Sequence, residues 1–259
     1  LADRELYAEI PLEGTDSFRD LSIYLHDDVD ELTVNGNRLP VRNTKSGYEA
    51  VNPDNCLRNG VDRIRITCRT SSDGEPLPVG FLRGRFSVVS LTPYADKDGA
   101  QWMTEGGFKL TPMRQPAVED LVASGFPFSG LPVLARKELH IPRELHPASR
   151  LQLTGVHAAA AHVRIGNEVS AWCWGPDWSV DIGSLPKGRH ELTVALYPST
   201  YNAYGPHRHV DGDRHLTSPD QYKGVKNFAD SVSAPEHTLG KHWHFVKWGL
   251  CGEVRLQIP

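Results

Sequence analysis

The sequence predicts an all-β chain of two tandem antiparallel β-sandwiches. Period-two alternation of apolar and polar residues recurs in short runs along the whole chain, the pattern of a strand with one buried face. Helical periodicity is nearly absent. One strand–turn–strand pattern occurs twice, which points to a repeated unit. Short strands separated by turns, with no helices between them, pair as antiparallel sheets packed face to face.

In the first half the predicted strands are Leu6–Ile10, Leu21–Leu25, Glu31–Val34, Arg63–Ile66 and Gly84–Val88. The second half offers Val133–Leu139, Leu151–Leu153, Ala161–Ile165, Leu192–Leu196 and Glu253–Ile258. The repeat is carried by turns. Val34 leads into Asn35-Gly36, the strongest short hairpin signal, and Leu57-Arg58-Asn59-Gly60 then opens a returning strand. In the second half Ile165 leads into Gly166-Asn167, and Leu185-Pro186-Lys187-Gly188 opens the return at nearly the same spacing. The expected domains are residues 1–115, a first β-sandwich with a connecting segment from Pro93 to Pro116, and residues 116–259, a second sandwich.

Composition bounds the function. The 259 residues are 39% apolar and 23% charged, an ordinary globular balance large enough to bury a core without a disulfide framework. With 28 Lys+Arg against 32 Asp+Glu the formal charge is −4, which argues against nucleic acid as the main partner. No apolar run approaches the roughly 20 residues of a membrane helix. The 23 Gly and 19 Pro mark a turn-rich chain. Leu1-Ala2-Asp3-Arg4 has no start logic, so the chain is expected to be a piece of a longer polypeptide. Cys56, Cys68, Cys173 and Cys251 form no CxxC pair and leave three disulfide pairings open, with Cys68 read as a buried reduced thiol on a strand.

Four segments carry a resemblance. Phe81–Val88 is similar to the "YLLGDFGV" stretch of α-L-rhamnosidase-like bacterial glycoside hydrolases, and Ser124–Gly130 to their "QGYPFYSG". Trp174–Ile182 resembles their "WPPYRVDIT", and Asn202–His209 their "NLLGPHHH". The four occur in the family's order. The resemblance implies galactose-binding-like jelly rolls from the C-terminal region of such an enzyme. There the catalytic carboxylates lie in an upstream (β/α) barrel, and no strand–helix alternation of that kind is present here. It implies a non-catalytic accessory or carbohydrate-binding region, extracellular or periplasmic. Its partners would be a glycan or polysaccharide and the catalytic domain of the same polypeptide, with neither nucleic acid nor membrane.

Two clusters could carry binding. Trp172, Trp174 and Trp178 lie within seven residues, and an indole face stacks on the apolar C–H face of a sugar. They share parity, so one strand would point all three to a single face, exposed as a platform or interior as packing. The second cluster runs from Tyr201 to Lys247. Within it Tyr201, Tyr204, His207, Arg208, His209 and Arg214 are the candidate ligand contacts. His207 with His209, and His242 with His244, could each offer two imidazoles to a metal. Tyr204, His207 and Arg208 could serve a small polysaccharide lyase or hydrolase as base and charge neutraliser. The plainer expectation is a loop closing the sandwich, its imidazoles satisfying backbone carbonyls. Asp211-Gly212-Asp213 and Asp96-Lys97-Asp98-Gly99 are oxygen-rich enough for a structural Ca²⁺, though each also reads as an Asp-Gly turn. No catalytic residue is assigned.

Overall fold

The fold is that of a computed structural model, which describes residues 2–14, 22–25, 29–44, 47–50, 56–70, 80–205, 207–208 and 241–259. Among these, twenty-two strands and one short helix follow in chain order. The strands begin with β1 (Ala2–Leu12), β2 (Ser22–Leu25), β3 (Glu31–Val34), β4 (Asn37–Leu39), β5 (Val41–Thr44), β6 (Gly47–Ala50) and β7 (Gly60–Thr70). Next come β8 (Gly80–Arg83), β9 (Phe86–Ser90), β10 (Ala95–Lys97), β11 (Gln101–Thr104), β12 (Phe108–Pro112), β13 (Val133–Ile141) and β14 (Arg150–Leu153). Then follow β15 (Val156–His157), β16 (Ala160–Ile165), β17 (Val169–Cys173), β18 (Ser179–Asp181) and β19 (Gly188–Tyr197). The chain ends with α1 (Tyr201–Tyr204), β20 (Trp243–Val246), β21 (Gly249–Leu250) and β22 (Val254–Gln257). The chain is all-β, as its periodicity predicts.

It divides into two compact units, residues 1–91 with 107–115, and 92–106 with 116–259. The segment expected as the connection is therefore no linker. It contains β10, which pairs with β11, and β11, which pairs with β20, in the second unit, and β12, which pairs with β9 and β1 in the first. Its turn residues mark hairpins, not a tether.

The first unit has a six-stranded sheet ordered β4-β3-β7-β1-β12-β9 and a four-stranded sheet ordered β5-β6-β2-β8. All pairings are antiparallel except β1 with β12. Between the sheets the inward residues of alternating strands meet: Ile23 and Leu25, Leu32 and Val34, and Ile64 and Ile66 are all buried. Gly84–Val88 does not form the single strand expected. The chain bends at Gly84-Arg85 and passes from β8 in one sheet to β9 in the other, so a glycine inside an apparent strand marks the crossing.

The second unit has a sheet ordered β13-β19-β16-β17 and one ordered β18-β14-β22, with Leu151, Leu153, Val163, Ile165, Val180, Leu192, Val194 and Leu196 buried between them. A further three-stranded sheet, β10-β11-β20, and the pair β15-β21 complete it.

The repeat seen in the sequence persists in the topology. Strand order β4-β3-β7-β1 in the first unit matches β17-β16-β19-β13 in the second, and β6-β2-β8 matches β18-β14-β22. The match reaches single hydrogen bonds. Asn35 N–H donates to Arg63 O (2.8 Å), and Gly166 N–H donates to Glu191 O (2.9 Å), each tying the first turn residue to the returning strand three residues after its glycine.

The Asn35-Gly36 turn shows why the local signal was strong. Val34 pairs with Asn37, and the two residues between have φ of 52° and 79°, the left-handed pair that a two-residue hairpin requires. The Asn35 side chain also donates to Cys56 O (2.9 Å) and to the buried Asp62 carboxylate, and accepts from Arg63 N–H (3.0 Å). Asn35→Ala is expected to destabilise the first unit by about 2 kcal/mol, through backbone strain and lost bonds to partly buried partners. Asn35→Gly, which removes the strain alone, should cost less. Urea unfolding followed by circular dichroism checks the ranking.

Cys56, Cys173 and Cys251 are free thiols. The side chain of Cys68 lies outside the described residues, so its expected burial is neither supported nor opposed.

Candidate functional site

The three clustered tryptophans do not share one face. Trp172 is on β17, whose burial alternates so that Val169 and Cys173 point into the core while Ser170 and Trp172 point out. Trp174 lies just past the strand end. These two indoles are 51% and 63% exposed. Trp178 is half-buried, packs against the core, and lies over Gly175, 3.4 Å from where a β-carbon would sit. The parity argument failed because the chain leaves the strand after Cys173 and turns before β18. That turn is pinned by Arg150, whose Nε donates to Asp181 (2.8 Å) and whose Nη2 donates to Asp177 (3.3 Å) and Ser179 (2.6 Å). The Ser179 hydroxyl, donating at 2.7 Å, and then Arg150 hold the Asp177 carboxyl below the usual range.

Trp172 is not isolated. Register places it opposite His162 of β16, and its ring lies 4.7 Å from the His162 ring and 4.9 Å from that of Tyr197 on β19. His162 and Tyr197, the two rings against which Trp172 packs, line a groove of about 250 Å³ on the outer face of the β13-β19-β16-β17 sheet. Its lining comes in rows set by strand register. Leu134, Ala195 and His162 form one row ending at Trp172. Arg136, Thr193 and Arg164 form the next, and Glu191 stands beyond it. An adjoining hollow of about 240 Å³ shares Arg136 and Glu191 and extends along β13 and β19 to Lys137 and Arg189. Aromatic faces beside cationic, anionic and hydroxyl groups on a rigid sheet suit a polar ligand with an apolar face.

Sequence reasoning found Trp172 but none of Leu134, Arg136, His162, Arg164, Glu191 or Tyr197. Leu134, Arg136, His162 and Arg164 sit at the outward phase of predicted strands, and Glu191 and Tyr197 just beyond the ends of the predicted Leu192–Leu196 strand, but nothing in one strand says which other strand lies beside it.

The second cluster has a different character. His207 is enclosed by the rings of Phe128, Tyr201, Trp243 and Phe245, with centroids 5.3, 5.8, 5.7 and 5.2 Å away. Its Nε2–H donates to Asn202 O (2.9 Å), and its carbonyl accepts from His244 N–H (2.8 Å). Buried Asn202 fastens the helix to β20: its amide donates to Val246 O and its Oδ1 accepts from Val246 N–H, both at 2.8 Å. The Arg208 guanidinium lies 5.8 Å from the Trp243 ring centroid. Tyr201 is half-buried, whereas Tyr204 is 71% exposed. Two of the segments carrying the resemblance, 124–130 and 202–208, thus meet as packing. His242 is half-exposed, 4.0 Å from Glu105, while His244 is buried, so the two do not present imidazoles side by side. His209, Asp211, Asp213, Arg214, His215 and His237 lie outside the described residues.

Burial pushes the His207 pKa down against the raising effect of its bond to Asn202. A histidine harder to protonate when folded leaves stability undisturbed at neutral and higher pH. Stability is then lost as pH falls below about 6.5, where the unfolded chain takes up the proton first. The second unit is therefore expected to weaken between about pH 6.5 and its folded pKa, and His207→Gln should flatten that slope. Tryptophan-monitored denaturation across this range reads it directly.

Among the described residues no three His, Cys, Asp or Glu side chains come together as a metal cage. Asp96-Lys97-Asp98-Gly99 forms a hairpin turn between β10 and β11. There Asp98 and Gly99 have φ of 56° and 71°, and the Asp96 carboxylate accepts from Gly99 N–H (2.8 Å) and from Lys247. No described helix is long and apolar enough to cross a membrane. No protein-family model matches the chain, and no curated protein is significantly similar to it.

Proposed function

We propose that the chain is a non-catalytic carbohydrate-binding or accessory region of a polysaccharide-degrading glycoside hydrolase, built of two tandem galactose-binding-like jelly rolls. The exposed Trp172 ring beside a groove of polar and charged side chains carries this reading. A sugar ring covering about 100 Å² of indole gains roughly 2–3 kcal/mol, and after the cost of association one or two such contacts give millimolar to micromolar affinity. The matching strand orders of the two units and the ordered resemblance of four segments support the tandem architecture. On this reading the site holds polysaccharide near a catalytic domain elsewhere on the same extracellular or periplasmic polypeptide.

A purely structural role, buttressing that domain, is favoured by the way His207 and Phe128 serve as packing. Catalysis by Tyr204, His207 and Arg208 has less support, because the His207 Nε2 proton is committed to a backbone carbonyl and the ring is walled by aromatics. Titrating the chain with a glycan panel while following tryptophan emission separates the three. A saturable change with at least one glycan supports binding, no change with any supports the buttress, and new reducing ends would support an enzyme.

A further inference from the structure

We propose that the groove over β19 takes an acidic saccharide, its carboxylate held between Arg136 and Arg164 and its sugar face against Trp172. This rests on the glycan-binding reading above and names the ligand class.

The register carries the argument. Arg136 of β13 and Arg164 of β16 are both direct partners of Thr193 on the strand between them. Strand spacing puts their α-carbons about 10 Å apart, within reach of two long side chains meeting above one short threonine. Both line the groove, and neither makes an ion pair among the described residues. Three other arginines of this unit are paired: Arg150 with Asp177 and Asp181, Arg189 with Glu138, and Arg255 with Glu253.

Two guanidinium groups flanking one short residue on the same sheet face can both reach an anion seated above it. A guanidinium fork matches a planar carboxylate with two parallel hydrogen bonds. Nearby groups fit the rest of a sugar. Thr193 and Glu191 offer hydroxyl-binding oxygens, with the Thr193 hydroxyl donating to Glu191 at 3.5 Å, and His162 and Tyr197 continue the ring surface of Trp172. Glu191 beyond the arginine row disfavours a second carboxylate there, so the site reads one acid at one position. The groove's volume, just under the roughly 300–1,000 Å³ of a drug-sized pocket, suits a short saccharide.

The test is titration of the full chain with uronate tetrasaccharides (galacturonate and glucuronate series), each against its carboxyl-reduced neutral counterpart, at low salt. At least one acidic member should bind about tenfold tighter than its neutral twin, and 0.5 M salt should collapse that ratio. In the double variant Arg136→Gln, Arg164→Gln the ratio should fall close to one, while lysine at both positions should retain part of it. Equal binding of acidic and neutral members, or a ratio that survives the glutamine substitutions, overturns the proposal but leaves glycan binding standing. A sulfated neutral tetrasaccharide binding as tightly as the uronate overturns the carboxylate assignment. If no member binds at all, the glycan-binding reading itself fails.

Discussion

Trp172→Ala is expected to weaken glycan binding by roughly thirty- to hundredfold while barely changing stability. The effect on binding follows from the lost stacking surface, about 2–3 kcal/mol of apolar contact that no neighbour replaces. The small effect on stability follows from position. Trp172 points away from the core, with half its surface already in water, and its packing is limited to cross-strand contacts with His162 and Tyr197. Such pairs contribute a few tenths to about 1 kcal/mol. Trp174→Ala is a fitting companion, since that ring is still more exposed and is not among the residues lining the groove. Calorimetric titration beside a urea curve for each variant measures both quantities. If Trp172→Ala binds as well as the parent chain, the groove is not the binding site.

Phe245→Ala is expected to destabilise the second unit by about 3–5 kcal/mol. Phe245 is fully buried, with Phe128 edge-on at 5.1 Å, Tyr94 edge-on at 6.3 Å and His207 at 5.2 Å. Truncation leaves a ring-sized void among three aromatics, and rigid rings cannot collapse into it. Phe245→Leu should cost appreciably less, because most of the volume is kept. All six tryptophans fall in the second unit, so their emission reports that unit's unfolding alone. A loss under 1 kcal/mol for Phe245→Ala would show that this aromatic cluster is not packed as described.

Local chemistry explains what could be read early. Asn35-Gly36 demands positive φ at both residues, and no distant contact is needed to make that hairpin. Alternation such as Arg63-Ile64-Arg65-Ile66 marks a half-buried strand by itself, and β3 and β16 lie where alternation puts them. The short strands β10, β11 and β18 were missed because their residues show no clear apolar–polar alternation, unlike four-residue strands such as β2 and β3. The tryptophan cluster was misjudged for a related reason: parity holds only while a strand continues, and this one ends at Cys173.

The groove belongs to another level. Arg136, Thr193, Arg164 and Trp172 lie on four strands, and only the order β13-β19-β16-β17 and its register place them on one face. Taken alone, the amino-acid order determined the all-β class, hairpin turns such as Asn35-Gly36 and which residues of a continuous strand share a face, because backbone sterics and two-residue periodicity act between near neighbours. Tertiary structure decided which outward residues share a surface. Strand pairing across long loops is selected by burial of the opposite face, and the side chains that meet in water have no part in that selection.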